Sequence, residues 1–423
     1  MHSQVKCLYG LPSPDLLLDL KKKNQTLIVI EDAPEAFFTE LEDVKIYFLG
    51  NDNEEELFKQ IAWDFVFIPF EMCEFPGNSS KSIERMKEIF QKLSYFQRGV
   101  NLTASDYQER GLDILKNILR NDLPAKKGGD LFGAFKGIPA VICGGGASLE
   151  KNMEHLIHLK DKALIFSGGA GLNTLGHFGI KPHFAAGIDP NPSLDRFLSQ
   201  TAFETSFFYQ SRFNFDQLRY FQGERLWIEG SGGFPIEEWL FSSTPFDGGW
   251  NVATFLTRLA YELGCNPIIL CGVDLASKNE KLYASKVEEQ KEEHRVQFKD
   301  EMGNIFYSKN DWIMAGQWLS GFAKEHPEVV CINCSEGLKF DGFTAKSLNE
   351  IDFSLQRDFE GLVHAKMQGA SSIQIPQDQF ALLNKSFYKS GQLCEKLIQV
   401  MEKYFPHSPQ EKGDYILLEM ELE

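Results

Sequence analysis

The sequence predicts an α/β protein: a doubly wound, Rossmann-like central domain, preceded by a small N-terminal α/β domain and followed by a helical C-terminal region. Three observations carry that prediction. The apolar run Ala140-Val141-Ile142-Cys143 opens directly into Gly144-Gly145-Gly146-Ala147-Ser148-Leu149, the pattern of a strand, a tight turn and a helix start. Short apolar runs alternate with helical patterns from Ile138 to about Gly342. Beyond Gly342 the periodicity turns helical.

Size and composition allow this. The chain has 423 residues, enough for two or three domains, and 13% aromatic content, with 36 Phe, excludes a disordered chain. A net charge of −17 argues against an extended nucleic-acid surface, although a local pocket for an anionic nucleotide stays compatible with it. The eight cysteines are scattered, several in apolar strand-like runs, as suits reduced and buried thiols. Met1-His2-Ser3-Gln4-Val5-Lys6 lacks the apolar core of a signal peptide, and no apolar stretch reaches the roughly 20 residues of a membrane span. A cytoplasmic location is the expectation.

In chain order, the N-terminal domain (1–125) shows strands at 26–31, 44–49 and 65–69, a helix at 34–41 with Pro34 in its first turn, and an amphipathic helix over 82–119. This alternation implies parallel strands. The stretch 121–129, with Pro124, two lysines and two glycines, marks the boundary. The central domain (130–345) carries strands at 140–143, 163–167, 184–188, 205–209, 225–228, 267–271 and 329–333, and a helix over 251–263. The charged stretch 278–301 is either a solvated helix face or a mobile cover over a pocket, and Gly303-Asn304 is a hairpin turn. In the C-terminal region (346–423), the apolar spacing of 381–404 predicts a helix that packs on the central domain or on a second subunit, as in a homo-oligomer.

In an open α/β sheet, ligands bind beyond the carboxyl ends of the strands, and several chemistry-bearing residues fall there. Gly144, Gly145 and Gly146 permit close backbone approach, and Ser148 offers a hydroxyl at the helix start, toward phosphate or as an N-cap. Asn173, after Ser167-Gly168-Gly169-Ala170-Gly171-Leu172, is placed to read a base edge or ribose, or to cap its helix. Asp189, at a strand end before Pro190, orients a sugar or ring, or forms an Asx-turn. Asp274 stands similarly after 268–273. Gly248-Gly249-Trp250-Asn251 precedes a helix and supplies a second candidate anion site, with Asp247 opposing an anion and favouring a base or sugar instead. No metal site is predicted. Cys331-x-x-Cys334 lacks a second ligand pair, and His155 and His158 lack a third ligand. The phosphate-loop Gly-x-x-x-x-Gly-Lys and a nucleophile-elbow Ser are absent as well.

Taken together, Ile142-Cys143-Gly144-Gly145-Gly146-Ala147-Ser148-Leu149, Gly179-Ile180-Lys181-Pro182-His183-Phe184, Gly187-Ile188-Asp189-Pro190, the run from Leu263 to Ala276, and Asn333-Cys334-Ser335-Glu336-Gly337 with Phe340-Asp341-Gly342 resemble the MptE-like/motility accessory factor family. The match covers roughly 138–345, and the N-terminal piece opening Tyr9-Gly10 looks like the extra domain of motility accessory factors. The resemblance implies a sialyltransferase-like central fold and a nucleotide-dependent transferase. One branch is a glycosyltransferase using a CMP-activated nonulosonic acid, without a cofactor. The other is a 6-hydroxymethyl-7,8-dihydropterin pyrophosphokinase requiring Mg²⁺. A non-catalytic nucleotide-binding protein is the third reading. The implied partners are a nucleotide or nucleotide-sugar substrate and a protein acceptor.

By the same resemblance, Gly144, Gly145, Gly146 and Ser148 contact phosphate, and Asn173 and Asp189 contact nucleoside or substrate. Gly249 and Asn251 close the other side, and Asp274 supports the pocket. Asp189 and Tyr283 are the candidate catalytic residues. Two departures stand out: Ala147 replaces the family's proline, and Tyr283-Ala284 stands where relatives often carry His. A phenol is a poorer base than imidazole near neutral pH.

Overall fold

The structure is a computed structural model that describes residues 4–23, 26–32, 44–50, 54–75, 79–120, 124–192, 203–230, 235–241, 246–277, 296–299, 305–374 and 377–404. Its first sheet contains β1 (Val5–Tyr9), β2 (Thr26–Glu31), β3 (Val44–Phe48) and β4 (Phe70–Met72), ordered β3-β2-β1-β4 and parallel throughout. Two details correct the sequence reading. Val5–Tyr9, interrupted by Lys6, was not marked as a strand, yet it pairs on both sides and its Lys6 is neutralised by Glu71 on β4. The strand expected at 65–69 lies instead at Phe70–Met72. Helix Glu54–Asp64 buries Phe58 and Ile61 and runs on to Asp64, so 65–67 must turn the chain, with Phe67 at φ 61°. The helix expected at 34–41 lies outside the described residues.

The second sheet has nine strands: β5 (Lys126–Lys127), β6 (Ala140–Cys143), β7 (Leu164–Gly168), β8 (Phe184–Gly187), β9 (Ser206–Tyr209), β10 (Arg225–Trp227), β11 (Ile268–Cys271), β14 (Cys331–Asn333) and β15 (Thr344–Ala345), with β12 (Val296–Lys299) and β13 (Ile305–Ser308) forming a separate antiparallel pair. The order is β15-β14-β11-β6-β7-β8-β9-β10-β5, and every pairing in it is parallel. The seven central strands expected from sequence are present, shifted by at most two residues at an end. β5 falls inside the stretch read as a linker.

Side chains alternate across this sheet. Ala140, Ile142, Leu164, Phe166, Ile268 and Leu270 enter one apolar cluster, while Val141, Cys143, Ile165, Ile269 and Cys271 enter another on the opposite face. Burial on both faces is why these strands read as continuous apolar runs. Phe135, Phe166, Phe184 and Phe208 are fully buried, with ring centroids 5.2–5.7 Å apart. Each such side chain stabilises the fold by roughly 1.5–3 kcal/mol through area removed from water.

One helix joins the two sheets. Ser80–Arg120 spans 41 residues, about 60 Å at 1.5 Å per residue. Its Ile89 and Leu93 pack on the N-terminal sheet, and its Ile114 and Ile118 pack with Leu240 of the central unit. At midpoint, Gly99 lets the Trp250 indole press against the backbone; a Cβ there would meet Trp250 Cη2 at 2.9 Å. Helix Phe359–Gln368 adds Phe359, Val363 and Met367 to the central core. Helix Gln377–Tyr404 packs Phe380 and Leu383 against the long helix but leaves Leu382, Tyr388 and Ile398 exposed. Among the described residues, no helix is long and apolar enough to cross a membrane.

Candidate functional site

The strand order reverses beside β6. From β6 the chain steps outward through β7, β8, β9 and β10, then returns to the other flank of β6 as β11. Between the carboxyl ends of β6 and β11 lies the switch point at which an open parallel sheet leaves a crevice. A cleft of about 1890 Å³ opens there. Its floor includes residues 144–146, 168–170 and 272–275, and its far side includes 186–192, Gln210 and Arg212. Residues 246–253, the long helix Ser80–Arg120 and helix Asn310–Glu325 wall it in.

The glycine-rich loop is fastened to its neighbour by backbone. β6 and β11 run in register, with Cys143 opposite Cys271, so their loops emerge side by side. Gly144 N–H donates to Cys271 C=O and Gly146 N–H to Gly272 C=O, both at 2.8 Å. A Cβ on Gly144 would collide with the Gly272 carbonyl, and one on Gly146 would lie 2.5 Å from Asp274 Oδ2. A Cβ on Gly145 would meet Ala170 Cβ at 2.6 Å. The three glycines are therefore required by close packing, against backbone at Gly144 and against the Ala170 and Asp274 side chains at Gly145 and Gly146. Two of their amides are spent on it, which corrects the expectation that Gly144 and Gly146 cradle phosphate. The amides of Gly145 and Ala147 carry no hydrogen bond among the described residues.

Ser148 also differs from expectation. The segment after the loop is a 3-10 helix, Ala147–Asn152, capped from Gly146 and not from Ser148. Ser148 is 2% exposed and outside the cleft lining; its N–H donates to Asp274 Oδ2 at 2.9 Å and its hydroxyl donates to Asp274 Oδ1. Glu336 N–H donates to the same Oδ1 at 3.2 Å. Asp274 thus ties together the loops after β6, β11 and β14. Burial raises its pKa above the ordinary 3.8, opposed by the hydrogen bonds from Ser148 and Glu336.

Asp189 lines the cleft beyond β8. Its Oδ1 accepts Asn191 N–H at 3.0 Å, so the Asx-turn reading holds, and Arg110 Nη1 approaches the same oxygen at 3.5 Å. Oδ2 has no hydrogen-bond partner among the described residues. Arg110 arrives from the long helix, and so does Asp106, which accepts from Arg212 Nη2 at 2.5 Å. Asn117, two turns beyond Arg110, fixes this arrangement: its Nδ2 donates to the carbonyls of Pro190 and Arg212, each at 3.0 Å, and its Oδ1 accepts Phe215 N–H at 3.2 Å. Sequence reading did not foresee Arg110, Asp106, Asn117 or Arg212. Amphipathic spacing marked their helix, but nothing local pairs residue 110 with residue 189.

On the opposite wall, Asn251 is an N-cap. Its Oδ1 accepts Ala253 N–H at 2.9 Å and Thr254 N–H at 3.1 Å, and Thr254 Oγ1 closes the capping box. The helix start read as a second anion site has therefore met its own donors. Gly249, at φ 67°, donates to Asp247 Oδ1 at 3.0 Å, and Asp247 Oδ2 accepts Trp318 Nε1–H at 2.9 Å. Trp318 stacks on Phe322 at 5.5 Å, and with Tyr95, Trp250 and Trp312 these rings give the cleft an aromatic side.

Gly144, Gly145, Gly146, Asp189, Gly249, Asn251 and Asp274 therefore share one cleft, whereas Ser148 does not line it. Asn173 lies in helix Ala170–His177, 9% exposed and outside the lining. Tyr283 lies outside the described residues, as do the turn at Gly303-Asn304 and most of 278–301. Cys331 and Cys334 are buried free thiols, pushed up to about 11 and about 12 chiefly by burial. His155 and His158 are exposed. Asp274 and Asp247 are engaged through both oxygens by N–H and O–H donors, and among the described residues no three metal-ligating side chains cluster.

The model of the family described as 6-hydroxymethylpterin diphosphokinase MptE-like matches residues 113–280. In fold, the chain is similar to the MAf glycosyltransferase from Magnetospirillum magneticum AMB-1, with a TM-score of 0.60 and 15% identity over 88% of this chain. The chain spans 62% of that protein's length. No curated protein matches in sequence. The resemblance to the MptE-like/motility accessory factor family, drawn from the motifs at strand ends, is borne out.

Proposed function

We propose, from a central unit of this MptE-like kind, that the chain is a nucleotide-dependent transferase, and specifically a glycosyltransferase whose donor is a CMP-activated nonulosonic acid. The observation that carries the proposal is the cleft at the β6–β11 switch point, walled by both sheets' units through one long helix. A donor with nucleoside, phosphate and acidic sugar needs such a cleft, with an aromatic side and separate polar ends. Similarity over 88% of the chain, including the N-terminal unit, favours the glycosyltransferase branch over the pterin branch.

In this reading the bond from the anomeric carbon to the donor phosphate breaks, and CMP leaves with the electron pair. An acceptor hydroxyl oxygen then bonds to that carbon and loses its proton to a base. Asp189, partly exposed in the cleft, would take the proton, with Tyr283 as the second candidate. The open amide of Gly145 would receive the leaving phosphate, and the rigid loop would position it with little reorganisation. A protein acceptor, a homo-oligomeric state and a cytoplasmic setting belong to the same proposal.

The family description supports a second reading, pyrophosphoryl transfer to a hydroxymethylpterin. There Mg²⁺ would neutralise charge on the nucleotide phosphates and would be carried chiefly by them. Incubating the full chain with a CMP-nonulosonic acid and a protein acceptor, with EDTA or with magnesium, distinguishes the two. CMP release in EDTA is the expected result. Magnesium-dependent formation of AMP from ATP and hydroxymethylpterin, with no CMP release, would replace the first reading by the second. Nucleotide binding with turnover of neither substrate set would indicate a non-catalytic binding protein.

A further inference from the structure

Committed amides in the glycine loop leave a question of charge. Of the loop residues that line the cleft, only Gly145 would offer an entering oxyanion an open amide, and Asp189, Asp247 and Asp274 all border the same space. Positive charge must come from elsewhere. We propose that Arg110, backed by Arg212, is the residue that recognises an anionic oxygen group of the substrate, phosphate or carboxylate; this rests on the reading of the cleft as a nucleotide-sugar site.

Three observations carry it. First, Arg110 stands between two carboxylates that each have a nearer donor. Asp106 is held by Arg212 at 2.5 Å while Arg110 Nε is 3.9 Å away, and Asp189 Oδ1 has Asn191 N–H at 3.0 Å while Arg110 Nη1 is 3.5 Å away. Both contacts of Arg110 exceed the 2.7–2.9 Å of a charge-assisted hydrogen bond. Its guanidinium is thus attracted into position without being consumed, and 45% of the side chain is exposed at the cleft. Second, its support is rigid. Asn117, two helical turns along, bonds the carbonyls of Pro190 and Arg212, so the helix cannot slide relative to the loops it faces. Third, the span is suitable. β8 is two strands from β6, which separates Asp189 and Arg110 from the glycine loop by about 10 Å at roughly 4.8 Å per strand. A ligand reaching both must be extended, with an anionic group at the Arg110 end. Arg110 lies on the long helix that joins the two units, three residues before the start of the family match.

The experiment is isothermal titration of the full chain with CMP, cytidine, N-acetylneuraminate and inorganic pyrophosphate, for wild type, Arg110→Ala, Arg110→Lys and Arg120→Ala. Arg120 lies on the same helix, paired with Asp216 and stacked over Phe215, and serves as the control for helix integrity. The expected result is a loss of about 10- to 100-fold in Arg110→Ala for at least one anionic probe, with smaller loss in Arg110→Lys and none in Arg120→Ala or for cytidine. Loss confined to N-acetylneuraminate identifies carboxylate as the group read; loss confined to CMP and pyrophosphate identifies phosphate and overturns the placement of the donor phosphate on the glycine loop. If wild type binds pyrophosphate in an Arg110-dependent way but no cytidine compound or N-acetylneuraminate, the anion site stands and the proposed donor falls. If wild type binds CMP and Arg110→Ala, with unchanged melting temperature, binds every anionic probe as wild type does, the Arg110 assignment is overturned while the donor stands. Absence of binding for all four probes overturns both.

Discussion

The loop after β6 and the loop after β8 rise from one edge of the same parallel sheet and face one cleft, yet they are held in different ways. In the first, backbone bonds backbone: Gly144 and Gly146 donate to the loop after β11, and Asp274 buries its carboxylate against Ser148 and Glu336. In the second, long side chains from a distant helix meet a strand end, and the ion pairs of Arg110 remain loose. A glycine-rich turn is commonly taken for an anion cradle, but here its glycines serve first to let two loops touch. The first loop is a fixed platform, and the second is the adaptable contact.

The largest effect should come from removing the carboxylate that fixes the platform. Asp274→Ala leaves the Ser148 N–H and hydroxyl and the Glu336 N–H without their acceptor, and a stability loss of at least about 3 kcal/mol in urea unfolding follows from about 1–3 kcal/mol per buried unsatisfied donor. A loss below about 1 kcal/mol would show that backbone bonds alone hold the loop. Asp274→Asn tests the charge. Since burial raises the folded pKa, the native state keeps this proton while the unfolded chain releases it. Wild-type stability is therefore eroded as pH rises from the ordinary 3.8 toward the folded value, and the deficit of Asp274→Asn should narrow across the same range.

A comparable effect is expected at the other end of β8, away from the cleft. His183 Nδ1 accepts Ile165 N–H at 2.9 Å, and burial lowers its pKa from 6.5 to about 4. The unfolded chain takes up this proton first, so the contribution of His183 is complete above pH 6.5 and is lost as pH falls toward the folded value near 4. Acid unfolding should therefore show a loss of roughly 3 kcal/mol over that window, absent in His183→Asn. A pH profile unaltered by the substitution would contradict the buried neutral ring.

The smallest effect concerns the opposite wall. Asn251→Ala removes a cap and should cost about 1 kcal/mol of stability while leaving CMP affinity within about twofold, since its side chain is spent on the helix start. A tenfold fall in CMP affinity with unchanged stability would instead place Asn251 among the ligand contacts.

Most of the central sheet was legible because its strands are buried on both faces, and an apolar run of four to five residues ending in glycine or Asp is a strong local signal. β5, two lysines long, offered no such signal and was read as linker. Val5–Tyr9 was hidden by Lys6, whose charge is met by Glu71, a partner far along the chain. In the site, sequence identified the residues at strand ends but not their hydrogen-bond commitments. Whether Gly146 N–H points at a ligand or at Gly272 C=O depends on the register of β6 with β11, which no short motif encodes. Arg110 was illegible for a related reason: its role arises from helix Ser80–Arg120 crossing between units, with 79 residues separating it from Asp189.

Hydrogen–deuterium exchange of the full chain, with and without CMP, tests the contrast between the two loops most directly. The account predicts that the amides of Gly144, Gly146, Ser148 and Leu149, each hydrogen-bonded within the protein, exchange slowly even without ligand, and that added CMP protects the open Gly145 amide together with residues 106–112 and 187–192. Fast exchange at Gly144, Gly146, Ser148 and Leu149 that slows only when CMP is added, with no change at 106–112 and 187–192, would contradict it.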